Sequence, residues 1–473
     1  MRWLFADQLG PHFLDDHDGP VLLIESRAAL RRHHVHRAKA HLILSALRHR
    51  AAELGPRALY IRADTYQEAL QRVGEPVHVI HPTSRAALHF VRSLGLEVLP
   101  PRGFATTSEQ FEAWAGDRPL LERFYRAARR STGVLMDGDE PVGGRWNLDT
   151  DNREPPPRGA HTLGVPDPAW PVEDDIDAHV RADLADAPTL GRDGPRRFAA
   201  TRGEALDALA VFIRRRLPSF GAYEDAMLAG DPWMAHSLLS VPLNLGLLDP
   251  QEVIAAAESA FREGSAPLNA VEGFIRQVLG WREYMWHLYW WLPADYADGN
   301  HLDAHKPLPR WFEQMESSPA RCLDVTLRDV RDTGWAHHIQ RLMVLGSWAL
   351  QRGYDPAQLN AWFRRVFVDG FDWVMAGNVI GMSQYADGGI VATKPYTSGG
   401  AYIKKMSDYC TGCRFRPDHR TGDEACPFTA GYWDFLARND QALRGNHRMA
   451  RPLAGMRRLA DLPETRAASA RFE

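Results

Sequence analysis

Four cysteines constrain this chain more than any other feature of it. Cys410 and Cys413 form a C-x2-C pair, Cys426 follows after twelve intervening residues with Pro427 behind it, and Cys322 stands well upstream. A disulfide framework requires an oxidising compartment. The N-terminus, MRWLFADQLG, has no basic segment followed by an apolar run, so it does not read as an export signal. Four thiolates can instead hold zinc or an iron–sulfur cluster. Zinc ribbons usually carry two C-x2-C knuckles, whereas here one knuckle accompanies two isolated cysteines. Spacing alone leaves zinc, an iron–sulfur cluster and unligated buried thiols open.

Composition narrows the class. At 473 residues the chain is long enough for two or three domains with full cores. Its 45% hydrophobic and 25% charged content is that of an ordinary globular protein, and no apolar window is long enough to span a bilayer. Few cysteines and no export signal set the expectation at a cytoplasmic location. A net charge of −4 means that any nucleic-acid binding must come from a local basic patch. The 15 tryptophans, most of them in the second half, stand out. Indole rings pack cores, stack on bases and relay electrons.

The first hundred residues alternate between strand and helix patterns. Strands are expected at Trp3–Ala6, Val21–Ile24, Ala58–Ile61, Val77–Ile80 and Leu96–Leu99, with helices at His36–Leu54 and Ser84–Leu94. Such alternation argues for a doubly wound parallel sheet. No Gly-x-Gly-x-x-Gly follows the first strand, which argues against a standard dinucleotide site there. Gly138–Asp193 is dense in proline, glycine and charge. It is too long for a structureless loop inside a compact domain, and reads as a connector lying on the surface of both halves. After Phe198 the pattern is almost wholly helical. Thr201 or Gly203 caps EALDALAVFIRRRL, whose Leu206, Leu209, Phe212 and Ile213 form an apolar stripe. Further helices are expected at Ala270–Leu292, Trp335–Arg352, Pro356–Val368 and Tyr432–Leu443. The architecture is an α/β Rossmann-like domain (1–130), an interdomain connector (131–197) and an all-α domain (198–473).

Several stretches carry chemistry, each with a structural reading beside the functional one. Ser237 and Ser240 lie three apart beside prolines that open helix ends, with Tyr223 in a loop upstream. Hydroxyls and N–H groups at helix starts suit phosphate and serve equally as ordinary caps. The stretch Val271–Trp291 mixes Trp281, Trp286, Trp290 and Trp291 with Arg276, Gln277 and Arg282. That mixture fits base stacking and phosphate binding, or a broad core helix with a salt-bridged edge. His337 and His338 are adjacent on the expected Trp335–Arg352 helix. Neighbours about 100° apart cannot chelate as an i,i+4 pair would, so one can meet a ligand while the other packs. Arg341 on the same helix can pair with a carboxylate of Val368–Gln384, where Asp369 and Asp372 precede Gly377-Asn378.

The order of these signals is more telling than any one of them. FADQLG, GGRWNLD, FGAYEDAM, RQVLGWREYM, TGWAHHIQRLMVLGSWAL, DWVMAGNVIGMSQYADGG and YIKKMSDYCTGC, spread from Trp3 to about Asn439, resemble the photolyase/cryptochrome flavoproteins. Within them the chain is most similar to the iron–sulfur bacterial branch, the prokaryotic (6-4) photolyases. The resemblance implies FAD in the helical domain. Tyr223, His236, Ser237, Leu238 and Ser240 match residues that hold its diphosphate, and Glu272, Phe274, Ile275 and Gln277 match the helix that backs it. Arg341 and Asp372 resemble the ion pair beside the isoalloxazine. Asn378 resembles the residue facing N5, where a hydrogen-bond partner stabilises the reduced flavin.

The same resemblance implies a light-driven lyase in which photoexcited FADH− repairs (6-4) photoproducts in UV-damaged DNA, with the lesion flipped out of the duplex. His337 and His338 match the pair lining that pocket, one of them the proton donor. Trp281, Arg282 and Tyr396 are further lesion or phosphate contacts, with Lys404 and Lys405 on the DNA side. Cys322, Cys410, Cys413 and Cys426 would ligate a 4Fe–4S cluster that clamps the C-terminal segment. Trp362 and Trp373 are candidates to photoreduce the flavin, with core packing the equal alternative. Relatives hold a 6,7-dimethyl-8-ribityllumazine antenna in the α/β domain. Asp7 of their Asp-Gln-Leu motif is present, but Leu23-Ile24-Glu25 lacks the cysteine expected before the glutamate, and the next acidic position falls near Ala28–Ala29. A bound lumazine and an empty pocket both stay open. A monomer without membrane association is expected. The competing readings are a cryptochrome-like blue-light photoreceptor with the same cofactors and little repair, and a zinc protein that binds nucleic acid without flavin.

Overall fold

The structure, a computed structural model, describes residues 1–116 and 119–472. Five parallel strands build the sheet of the first half: β1 (Arg2–Leu4), β2 (Val21–Ser26), β3 (Ala58–Ala63), β4 (His78–Ile80) and β5 (Glu97–Leu99), in the spatial order β3-β2-β1-β4-β5. Each stands within two residues of the span read from the apolar runs. β1 and β2 read as unbroken apolar runs because both of their faces are covered: Trp3, Leu4, Leu22 and Leu23 are all fully buried. The strand order reverses at β1, so the crevice beyond the ends of β1 and β4 is the natural ligand position of this half. Asp7 and Thr83 sit there, the Thr83 hydroxyl donating to the Asp7 carboxylate.

The stretch read as a connector contains a helix, Asp175–Asp183, that proline density had hidden. Asp174 and Asp177 form its capping box, and it packs on the helix Arg37–Leu54.

In the helical half Thr201, not Gly203, is the N-cap of Arg202–Val211, with Glu204 completing a capping box. Ala205, Leu209 and Phe212 are the buried line of that helix, which leaves Leu206 on the solvent side at 40% exposure. The helix Pro356–Val366 ends two residues early, where Phe367 turns extended. The C-terminal helix runs from Pro427 to Arg438 rather than from Tyr432 to Leu443, because Cys426 and Pro427 supply its N-cap and first turn. Four wide i→i+5 turns interrupt the helices, at Phe212–Arg216, Arg276–Arg282, Gln340–Gly346 and Gly377–Ser383. Such turns concentrate at functional sites, and three of these carry Gln277, Arg341 and Asn378.

The halves interlock through buried donors. Lys39, from the helix behind β2, donates to the carbonyls of Arg364 (2.8 Å) and Gly370 (2.6 Å). Arg85 donates to the carbonyls of Tyr289 and Leu292. No described helix is long and apolar enough to cross a membrane.

Candidate functional site

Three histidines meet inside the helical half. His236 stacks on His337 with ring centroids 4.6 Å apart and planes at 21°, and His338 meets His236 edge-on at 5.6 Å. The helix starts at His338 rather than Trp335, so the two adjacent histidines do not share it as expected. His337 lies just outside and is 2% exposed, whereas the His338 side chain is 47% exposed. Burial holds His236 and His337 far below the usual histidine range, so both are neutral near pH 7. His236 Nε2 and both ring nitrogens of His337 have no hydrogen-bond partner. Buried polar atoms left this way are costly, and they mark where a ligand's polar atoms belong. His338 faces outward with its Nε2 3.5 Å from Asp225 Oδ1. Asp225 was not singled out in the sequence, although FGAYEDAM carries it.

The segment around His236 is strained. Met234 and Leu238 have φ of 45° and 58°, a region that side chains of this kind rarely adopt. Arg216 holds it there by donating to the carbonyls of Trp233, Met234 and His236. Ser237 Oγ accepts from Leu239 N (3.2 Å), and Ser240 Oγ donates to Asp369 Oδ2 (2.8 Å).

Asp369 is also the partner of Arg341, in a two-pronged pair at 2.9 and 3.2 Å. The expected partner, Asp372, instead lies 3.1 Å from Arg364 Nε. The turn at Gly370 separates the two carboxylates. A Cβ at Gly370 would meet the carbonyls of Phe363, Phe367 and Arg364 at 2.7–3.1 Å, so the chain turns tightly there, and Asp372 opens the next helix facing away.

Asn378 is fixed at both ends. Its Nδ2 donates to the Val374 carbonyl (2.7 Å) and its Oδ1 accepts from Trp281 Nε1 (3.0 Å). Trp281, expected to touch a lesion, is therefore tied to orienting Asn378. Arg282 is not an outer phosphate contact either. It pairs with Glu283 at 3.0 Å and packs over Phe104 and Trp373, with centroids 4.6 and 5.3 Å away.

On the same helix Phe274 and Ile275 are core residues, and Gln277 Nε2 donates to Glu224 Oε1 (2.7 Å). Burial raises the carboxyls of Glu224 and Glu272 above the usual range. Arg276 lies 3.4–3.8 Å from Glu272, Asp149 and Glu224, yet its Nε and Nη2 make no hydrogen bond. Tyr223 is half-buried, packed against the cluster of Ala226, Leu228 and Met234. Orphaned donors beside a strained backbone loop fit a large polar cofactor such as FAD.

The two tryptophans expected to photoreduce the flavin, Trp362 and Trp373, lie in different places. Trp373 meets Trp286 at 5.8 Å and Trp286 meets Trp290 at 5.5 Å, a line running toward the α/β half. Trp362 lies elsewhere, among Phe312, Phe363 and Phe367, with its Nε1 donating to Glu313 O.

The four cysteines converge. Burial, then the neighbouring thiols of Cys426, Cys410 and Cys413, raises the Cys322 thiol well above its usual range, and burial pushes Cys410 up to about 12. Cys322 sits in the first turn of Arg321–Thr333 and Cys426 caps Pro427–Arg438. Gly412, at φ 74°, closes the turn that brings Cys413 N to Cys410 O (3.2 Å). A Cβ on Gly400 would come within 2.7 Å of Cys426 Sγ. Four free thiols brought together in this way fit a multivalent metal group that takes them as thiolates.

Beside them a cleft of about 830 Å³ opens between the connector and the cysteine segment. Arg158, Arg321, Lys404 and Lys405 line it, none with an ion pair or hydrogen bond among the described residues, together with Asp324 and Asp408. Arg158 and Arg321 went unnoticed in the sequence because an isolated arginine carries no pattern. Tyr396 is exposed.

In the α/β half Asp7 is half-buried, and its desolvation raises its carboxyl above the usual range. Glu25 is fully engaged by Arg48, Arg62 and Tyr60.

Residues 2–192 match the family described as deoxyribodipyrimidine photo-lyase-related protein. A protein of Agrobacterium fabrum named (6-4) photolyase is 41% identical over 489 residues, covering 97% of this chain and 95% of its own. The crystal structure of a bacterial class III photolyase from Agrobacterium tumefaciens shares the fold at a TM-score of 0.56 and 19% identity, over 86% of this chain and 85% of that one. A cryptochrome of Synechocystis sp. does so at 0.60 and 14%, with the same coverage. The chain belongs to the photolyase/cryptochrome family.

Proposed function

We propose that this chain is a light-driven DNA photolyase that repairs (6-4) pyrimidine photoproducts, using FAD held in the helical half and a 4Fe–4S cluster held by Cys322, Cys410, Cys413 and Cys426. The observation that carries the reading is the half-exposed His338, paired with Asp225 and set against two buried histidines, of which His236 Nε2 and both ring nitrogens of His337 have no hydrogen-bond partner among the described residues. The relative named (6-4) photolyase, similar over nearly the whole chain, supports it.

When bound, reduced FAD excited by blue or near-UV light supplies one electron to the lesion and takes one back, so repair is redox-neutral. Tyr223, the His236–Ser240 segment and the Glu272–Gln277 helix would hold the cofactor, and Arg341, paired with Asp369, and Asn378, steadied by Trp281, would tune its redox chemistry. His236 and His337, neutral at physiological pH, offer ring nitrogens and exclude water. His338 gives a proton to the flipped lesion and recovers it, with Asp225 orienting the ring. Tyr396 reaches the lesion from the rim. Flipping costs on the order of a few kcal/mol, less for a damaged pair. Backbone phosphates contacting Arg158, Arg321, Lys404 and Lys405 offset that cost and make binding strongly salt-dependent. Trp373, Trp286 and Trp290 form the line for photoreduction.

The test is illumination of reduced protein with oligonucleotides bearing either a (6-4) lesion or a cyclobutane dimer. Restoration of the (6-4) lesion alone is expected, and His338→Ala abolishes it while keeping flavin. Repair of neither lesion by a flavin-loaded protein would favour the photoreceptor reading instead.

A further inference from the structure

A buried hydrogen-bond chain joins the histidine site to the cysteine site. The backbone N–H of His337 donates to Gln340 Oε1 at 3.1 Å, and Gln340 Nε2 donates to the Tyr409 hydroxyl at 2.9 Å. Tyr409 immediately precedes Cys410, so the chain ends beside the cysteine site. His337, Gln340 and Tyr409 are all buried, and no solvent competes for these bonds.

His337 depends on this connection. Its ring nitrogens have no partners, so its position is set through its backbone and its stacking on His236. Gln340 is the third residue of the helix that starts at His338, and it reaches back to the N–H of the residue before the helix. That is half of a capping box. The reciprocal Ser or Thr is replaced by His337, so the anchoring of this helix start passes through one glutamine amide, which Tyr409 in turn orients.

We infer that Gln340 and Tyr409 are positioning residues that carry the order of the four-cysteine segment to the start of the His338 helix. The inference rests on reading His338 as the lesion-facing histidine and the cysteines as cluster ligands. It makes an intact cysteine site a condition for a correctly set histidine pair, and disruption there loosens the histidines before it unfolds the rest of the half.

Tyr409→Phe removes a single hydroxyl and leaves the ring in the core. In the full-length protein loaded with flavin and cluster, hydrogen exchange of the peptide spanning His337–Arg341 is expected to quicken about three- to tenfold, the equivalent of one neutral hydrogen bond. Cluster absorbance and flavin content stay unchanged. Repair per absorbed photon falls by a similar factor and its pH profile shifts, which a general loss of stability does not produce. Gln340→Glu keeps an acceptor for both His337 N–H and the Tyr409 hydroxyl and restores native exchange, whereas Gln340→Leu does not. Native exchange in Tyr409→Phe, or equal quickening throughout the helical half, overturns the relay. If the native protein repairs no (6-4) lesion, the functional reading fails, and the exchange measurement still decides the relay.

Discussion

The two halves of the molecule treat their buried polar groups in opposite ways. In the α/β half Glu25, 2% exposed, is saturated by Arg48, Arg62 and Tyr60. In the helical half His236 Nε2 and both ring nitrogens of His337 have no hydrogen-bond partner among the described residues, and Arg276 faces three carboxylates without a hydrogen bond at Nε or Nη2. Four thiols there, those of Cys322 and Cys426 buried, crowd one another as well. A region that satisfies itself folds on its own contacts. A region with orphaned atoms reaches full stability only with its ligands, because whatever binds the folded state alone stabilises it.

Cysteine replacement should break the comparison most strongly. Cys426→Ser removes one corner of the four-thiol site, and structural metal sites contribute on the order of 10 kcal/mol to small domains. Limited proteolysis should then cut within the segment after Lys404 while the sheet β1–β5 stays intact. Equal resistance of both halves would contradict this.

The next effect comes from the ion pairs. Asp369→Ala strands the Arg341 guanidinium and frees Ser240, at a cost of about 3–5 kcal/mol, and flavin content should fall with it. Glu25→Gln disturbs a buried network in the α/β half, away from the proposed flavin site. It should lower the melting temperature and leave the flavin bound.

The smallest effect depends on pH. Asp329 Oδ2 is buried without a hydrogen bond, with Arg328 Nε 3.8 Å from the other carboxylate oxygen, and burial pushes the carboxyl up to about 7. Its unfolded value is near 3.8, so between these values the folded state holds the extra proton. The stability this group contributes is present below about pH 4 and lost as pH rises through 7. Asp329→Asn should therefore match the native protein at pH 4 and exceed it at pH 8 by on the order of 2–4 kcal/mol. Thermal melts at the two pH values check the sign.

Different parts of this molecule were legible in the sequence for different physical reasons. The strands could be read because burial on both faces leaves unbroken runs such as VLLI. The flavin-side helices were readable as helices, but their wide turns were not, since one extra residue in a turn barely disturbs a 3.6-residue period. The partner of Arg341 was undecidable from spacing. Two carboxylates lie three residues apart, and the choice is made by the close backbone packing at Gly370. Trp281 and Arg282 looked alike as outward contacts, yet one holds Asn378 and the other is drawn inward by Glu283. Asp225 gave no local signal, because its role comes from a contact with His338 across a long stretch of chain.

Hydrogen exchange of the flavin-free and flavin-loaded protein tests the contrast between the halves most directly. Added FAD should protect peptides around Tyr223–Ser240, Val271–Arg282, His337–Arg341 and Asp369–Gln384, and leave β1–β5 unchanged. Protection spread evenly over both halves, or concentrated around Asp7 and Glu25, would contradict it.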